Sequence, residues 1–251
     1  MGSDWSQYRS SRDTTPRLIG SSFGEEGTGK STFWLWGPAP VVVLSLDFGS
    51  PHVIDGVRKE RGVEIVELEY PWSPTDDSTQ EAAIELRDAF VRDYRYALKY
   101  ARTVIIDKES QLYPLFTAAE WPEGYDPEPR EWAPLQQRYR ALINEAKTTD
   151  VNLGLVQGMK SPWEKPAGGK LAKTKERVRR GFAEIGELVF MNIEHYIEML
   201  PGQDPSYQFM LRTGKLCGPG ARQMQYREMP AVTFQEFGML LFPDSSEADW
   251  V

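Results

Sequence analysis

The sequence predicts an α/β fold of three layers, with a mainly parallel sheet between helices and a β-hairpin extension towards the C-terminus. Three observations predict it. The runs Val41 to Leu46 and Val104 to Ile106 are apolar and β-branched without alternation, as in strands covered on both faces. Between and after them, Gln80 to Ala101 and Trp132 to Lys147 carry apolar residues at three- and four-residue spacing, the period of amphipathic helices. A glycine-rich stretch, Gly24 to Ser31, lies between a short apolar strand and a helix candidate. Strands alternating with helices favour parallel pairing, because a parallel crossover needs a connecting element long enough to return along the sheet.

In chain order, residues 1 to 14 are polar and aperiodic and read as a leader, and the domain is expected over 15–242 with an acidic tail at 243–251. Arg17 to Phe23 reads as the first strand and Lys30 to Trp36 as a helix of about two turns, ended by Gly37-Pro38. Val41 to Leu46 follows as a central strand with Asp47 at its tip, then a strand at Val63 to Leu68 and a loop from Pro71 to Ser78. The long helix leads to the strand Thr103 to Asp107, and the second helix leads to the strand Val151 to Val156. His195 to Leu200 and Tyr207 to Leu216, separated by Pro201 to Ser206, read as a hairpin, and Thr233 to Leu241 as a closing helix.

A chain of 251 residues with 40% hydrophobic residues has enough apolar material for one sizeable core. Cys217 is the only cysteine, so an intrachain disulfide and a cysteine-based zinc site are excluded, and a reducing compartment is expected. The uncharged, largely apolar stretch Phe33 to Leu46 contains Gly37, Pro38 and Pro40 and is shorter than the roughly 20 residues of a membrane span. No membrane association and a cytoplasmic location are therefore expected. A net charge of −8 argues against a wholly basic nucleic-acid coat and turns attention to where the positive charge is concentrated.

Gly24-Glu25-Glu26-Gly27-Thr28-Gly29-Lys30-Ser31 satisfies the G-x-x-x-x-G-K-[ST] pattern in the strand-to-helix context that its chemistry requires. Glycines let the backbone curl until several N–H groups point inward at phosphate oxygens, beside the positive end of the following helix. Lys30 is placed to reach the β- and γ-phosphates of ATP, Ser31 to put its hydroxyl on Mg²⁺, and Thr32 continues the nucleotide-contacting set. Asp107 ends a buried strand, the position for a carboxylate that holds Mg²⁺ with Ser31. Hydrolysis also needs a group that orients or deprotonates water. Lys108 follows Asp107, so Glu109 and Asp47 are both candidates for that base. Gln157, at the tip of its strand, is a candidate sensor of the γ-phosphate.

Lys160, Lys165, Lys170, Lys173, Lys175, Arg177, Arg179 and Arg180 face only Glu164 and Glu176, a local charge of +6 in a chain of net −8. Trp163 lies among these cations, and cations with an aromatic ring are the elements that bind single-stranded nucleic acid. The alternative is a lid that closes on nucleotide phosphates.

With these features in order, the chain resembles the RecA-like P-loop ATPases, and among them the short phage nucleotide-binding proteins of the single-strand annealing recombinase type. The resemblance covers about residues 15–216 and rests most specifically on the phosphate loop. It implies that residues 160–180 contact single-stranded DNA, and that the protein forms a homo-oligomer, a ring or filament, in the cytoplasm of a phage host. It also implies an ATP site completed by a neighbour's basic residues, for which Arg212 and Lys215 are the candidates. A small-molecule kinase and a non-catalytic nucleotide-gated module are the competing functions.

Overall fold

The structure, a computed structural model, describes residues 16–46, 51–72, 79–161, 163–164, 172–173, 177–200 and 206–251. The expected leader and the candidate base Asp47 lie outside the described residues. Strand β1 (Ile19–Gly24) runs through the phosphate loop into α1 (Lys30–Leu35), followed by β2 (Val41–Ser45), α2 (Pro51–Arg61) and β3 (Ile65–Glu69). Then come α3 (Gln80–Tyr100), β4 (Thr103–Asp107), α4 (Glu109–Glu120), α5 (Pro129–Glu145) and β5 (Asn152–Gln157). Two small antiparallel pairs are made by β6 (Met159–Lys160), β7 (Trp163–Glu164), β8 (Ala172–Lys173) and β9 (Val178–Arg179). The chain closes with α6 (Ile185–Leu188), β10 (Met191–Leu200), β11 (Ser206–Leu216), α7 (Ala221–Met224), β12 (Glu228–Pro230) and α8 (Phe234–Leu241).

The main sheet has the order β12-β11-β10-β1-β5-β4-β2-β3. From β10 to β3 every pairing is parallel, and β11 and β12 add the antiparallel hairpin extension. This is the expected three-layer α/β architecture, the one that the RecA-like resemblance implies. Alternation along one strand shows the layering: Val104 and Ile106 of β4 pack with α3, α4 and α5, while Ile105 packs on the other face with α1, α2 and α8. Strand β5 lies between the phosphate-loop strand and the strand that ends in Asp107, so Gly24, Gln157 and Asp107 all sit at the C-terminal edge of adjoining strands.

Local chemistry accounts for where the helices start. The Thr79 hydroxyl accepts from Ala82 N at 3.2 Å at the start of α3, and Glu128 with Glu131 forms a capping box ahead of Pro129 in α5. Thr233 and Glu236 form the same box at α8.

Several elements differ from the expectation. Helix α2 shows only the short apolar set Val53, Ile54 and Val57 in sequence, and its register is held by its arginines: Arg58 donates to Ile65 O at 2.8 Å and Arg61 to Gly37 O at 2.8 Å. Helix α4 contains Pro114, a residue that argues against a helix interior, yet it buries Leu112, Leu115, Phe116 and Ala119. Residues 243–251 are not a free tail, because Trp250 is 1% exposed, packs against Phe234 and Phe242 and donates to Ser245 Oγ at 2.8 Å. Cys217 is exposed. Among the described residues no helix is long and apolar enough to cross a membrane.

Candidate functional site

The end of β1 is locked before the loop begins. Ser22 Oγ accepts from Trp34 Nε1 at 2.9 Å and meets His195 Nε2 at 3.0 Å, so α1 and β10 both register on the strand that feeds the phosphate loop. Burial pushes the His195 imidazole down to about 3, with the Lys30 charge acting in the same direction, so the ring is neutral here. Gly27 and Gly29 take φ values of 77° and 87°, the left-handed region that lets the loop turn its amides inward before α1 starts at Lys30.

The loop closes on itself. Thr28 Oγ1 donates to Glu25 O at 2.8 Å, and Lys30 Nζ donates to the same carbonyl and lies 3.4 Å from Thr28 Oγ1. Burial lowers the Lys30 ammonium from its usual value, while Asp107, Glu26 and Glu25 pull the other way. Ser31 Oγ donates to Asp107 Oδ2 at 2.7 Å, which joins the two residues expected to hold a metal across 76 positions of chain. A hydroxyl and a carboxylate are hard oxygen donors, and the described residues hold no group of three or more His, Cys, Asp and Glu that could bind a metal alone. That donor set fits Mg²⁺, which keeps waters and phosphate oxygens in its shell and takes few ligands from protein.

These groups line a cleft of about 710 Å³, whose walls include Gly24, Lys30, Ser31, Asp107, Gln157 and, from the basic segment, Arg177 and Arg180. Glu25, Glu26 and Thr32 also line it, and Lys108, joined to Asp107 by a cis peptide, pairs with Glu26 at 3.7 Å.

Glu109 is not placed as the base. It is 0% exposed and does not line the cleft; Tyr139 donates to its Oε1, and Gln157 Nε2 donates to its Oε2 at 2.5 Å. Burial pushes its carboxyl up to about 7, against hydrogen bonds from Tyr139, Gln157 and the Phe182 backbone and the charge of Arg179. Glu109 is the first residue of α4 and one of that helix's buried residues, outside the lining of the cleft. The second N–H of Gln157 goes to Arg180 O at 3.1 Å, while its buried Oε1 has no partner among the described residues. With both amide hydrogens committed, Gln157 can meet a phosphate oxygen only by giving up Glu109 or Arg180 O. Gly181 makes this contact possible: at φ 112° a Cβ there would lie 2.4 Å from Glu109 Oε2 and 2.7 Å from Gln157 Nε2.

The basic segment divides. Lys160 is exposed on β6. Arg179 turns inward, donating to Asn192 Oδ1 at 2.9 Å and Ser21 Oγ at 3.1 Å and lying 5.6 Å from the Phe23 ring centre, so it is not available to nucleic acid. Arg177 pairs with Glu25 of the phosphate loop at 2.6 Å, and Arg180 stands on the cleft wall. Trp163 and Lys173 are paired across β7 and β8, described in their backbone, while Lys165, Lys170 and Lys175 lie outside the described residues. Arg212 is held between Glu194 and Glu228, each at 2.7 Å, and Lys215 donates to Glu187 O at 3.0 Å.

Sequence reasoning missed Tyr139, Gly181 and the cleft contacts of Val53 and Ser110. Val53 carried a signal, the apolar spacing of α2; Tyr139 carried none beyond its place on the buried face of α5.

No family model matches the sequence, and no curated protein matches it. Among solved structures, the chain is similar to the flagellar accessory protein FlaH from Methanocaldococcus jannaschii at 14% identity and TM-score 0.45, over 80% of each chain. It is also similar to a prototypical ATPase from the type III secretion system of pathogenic bacteria at 11% identity and TM-score 0.45, over 71% of this chain and 52% of that one. Likeness at this level carries no functional assignment; the fold assignment stands on the strand order and the phosphate loop.

Proposed function

We propose that the protein is a magnesium-dependent, ATP-hydrolysing RecA-like protein that acts on single-stranded DNA as a homo-oligomer in phage recombination or replication. The observation that carries the nucleotide part is the 2.7 Å contact between Ser31 and Asp107 at the foot of a phosphate loop whose Lys30 lines the same cleft. On binding, the loop amides and the α1 N-terminus take the phosphates, and Lys30 exchanges the Glu25 carbonyl for phosphate oxygens. Ser31 and Asp107 would hold magnesium, which when bound neutralises charge on the phosphoryl oxygens. A phosphate oxygen also competes with Arg180 O for one N–H of Gln157, and through that exchange reaches the root of the basic segment.

With Arg179 turned inward and Arg177 and Arg180 at the cleft, the DNA part is supported by Lys160, Lys165, Lys170, Lys173 and Lys175 in the same segment as Trp163, and by the rooting of that segment at the cleft through the β6–β9 pair. Phosphate release from ATP with and without single-stranded DNA, with Lys30→Ala as the blank, tests both parts. DNA stimulation that fades with salt is expected; turnover indifferent to DNA contradicts the DNA part, and turnover intact in Lys30→Ala contradicts the site. The presence of Arg177 and Arg180 in the cleft also favours a second reading, a small-molecule kinase with this segment as its lid. Phosphoryl transfer from ATP to a nucleoside or nucleotide without DNA would select it.

A further inference from the structure

We infer that Arg177 and Arg180 are polyphosphate ligands of their own subunit's phosphate loop, so that the cations completing the nucleotide site act in cis. The inference rests on the nucleotide reading above and departs from the expectation that Arg212 and Lys215 complete a neighbour's site.

Arg180 is held in place on the wall of the cleft. Its backbone N donates to Gly158 O at 2.8 Å, a bond that the exchange at Gln157 leaves in place. The residue before it pairs with Met159 across β6 and β9, and the residue after it is Gly181, packed on Glu109 and Gln157. The main chain that carries this guanidinium is therefore tied on both sides to the strand that ends at the cleft.

Arg177 is already engaged in anion recognition. Its Nη2 lies 2.6 Å from Glu25 Oε1 and 2.7 Å from Oε2. A guanidinium offers the same hydrogen-bonding edge to a carboxylate and to a phosphate, so Glu25 occupies the role that a nucleotide phosphate takes over. The pair is exposed, with side-chain exposures of 47% and 57%, and pairs so exposed are held by no more than about 1 kcal/mol. A polyanion seated in the loop next to Glu25 presents more negative charge than one carboxylate, and the exchange follows. Arg212 is not among the residues that line the cleft: it lies between Glu194 and Glu228, 5.1 Å from the Tyr196 ring centre.

The test uses the full chain. Dissociation constants for ATP and AMP, each with magnesium, are measured for the wild type, Lys30→Ala, Arg177→Ala, Arg180→Ala and Arg212→Ala. Each cleft arginine variant is expected to weaken ATP about tenfold, the loss of a charge-assisted hydrogen bond, with little effect on AMP and none from Arg212→Ala. Arg177→Ala in a Glu25→Gln background should still weaken ATP, which separates phosphate binding from mere neutralisation of Glu25. Phosphate release from mixtures of Lys30→Ala with Arg180→Ala then decides the geometry: no recovery on mixing is expected, and recovery would show that the arginine acts across subunits and overturn the inference. Unchanged ATP affinity in both arginine variants beside a wild type that binds ATP would overturn the inference alone. A wild type that does not bind ATP would overturn the nucleotide reading and the inference together.

Discussion

Replacing Glu109 with glutamine removes a titrating group from a site with 0% exposure. Burial raises this carboxyl from 4.5 to about 7 in the folded protein, and the groups that face it from the neighbouring elements are Tyr139 of α5, Gln157 of β5, Arg179 of β9 and the Phe182 backbone. Below pH 4.5 the group is neutral in both states. Between 4.5 and 7 the unfolded chain releases its proton while the folded chain retains it, so stability present at low pH is lost as pH rises through 7. A rise of that size corresponds to about 3 kcal/mol. The substituted amide has nothing to titrate, and it must be accommodated by a turn of its own or of the Gln157 amide, at a penalty that does not change with pH. The unfolding free energy of Glu109→Gln relative to wild type should therefore climb by about 3 kcal/mol between pH 4 and pH 8, whatever its starting value. His195 titrates alike in both proteins and cancels in the difference. Urea unfolding of both proteins, followed by tryptophan fluorescence at half-unit pH steps, measures the slope. A difference that stays flat, or that falls as pH rises, would refute the placement of this carboxyl among buried partners.

Gly181→Ala should destabilise the fold by roughly 2 to 3 kcal/mol, because φ 112° is strained for alanine and its Cβ meets Glu109 and Gln157; thermal unfolding checks it, and a shift of less than about 1 °C would contradict the contact. Asp107→Asn should raise the magnesium concentration needed for half-maximal turnover at least about tenfold, while leaving magnesium-free nucleotide affinity little changed. An unchanged magnesium requirement would remove Asp107 from the metal site.

The parts of the site that depend on neighbours in sequence were legible, and the parts that depend on neighbours in space were not. The phosphate loop is one continuous segment whose function is written in glycine spacing, and Asp107 and Gln157 are announced by the apolar runs that precede them. Glu109 stands two residues past Asp107 and looks like a base in sequence. Its environment is set by Tyr139 and Gln157, 30 and 48 positions away, which turn it inward. The eight cations of the basic segment read as one group, yet the antiparallel β6–β9 pair returns the chain to the cleft and sends Arg179 into the protein and Arg177 and Arg180 to the cleft wall. Charge counting gives no direction to a side chain; strand pairing does. The fold followed the same division: long amphipathic α3 and the buried strands were plain, while α2 and α4 are held by tertiary packing, α4 despite Pro114 within it.

The most direct measurement is phosphate release from ATP in the presence of magnesium by the wild type and by Lys30→Ala. Turnover by the wild type that disappears in the variant is the expected result. A wild type without turnover, or a variant that retains it, would contradict the assignment of this cleft as the site of ATP hydrolysis.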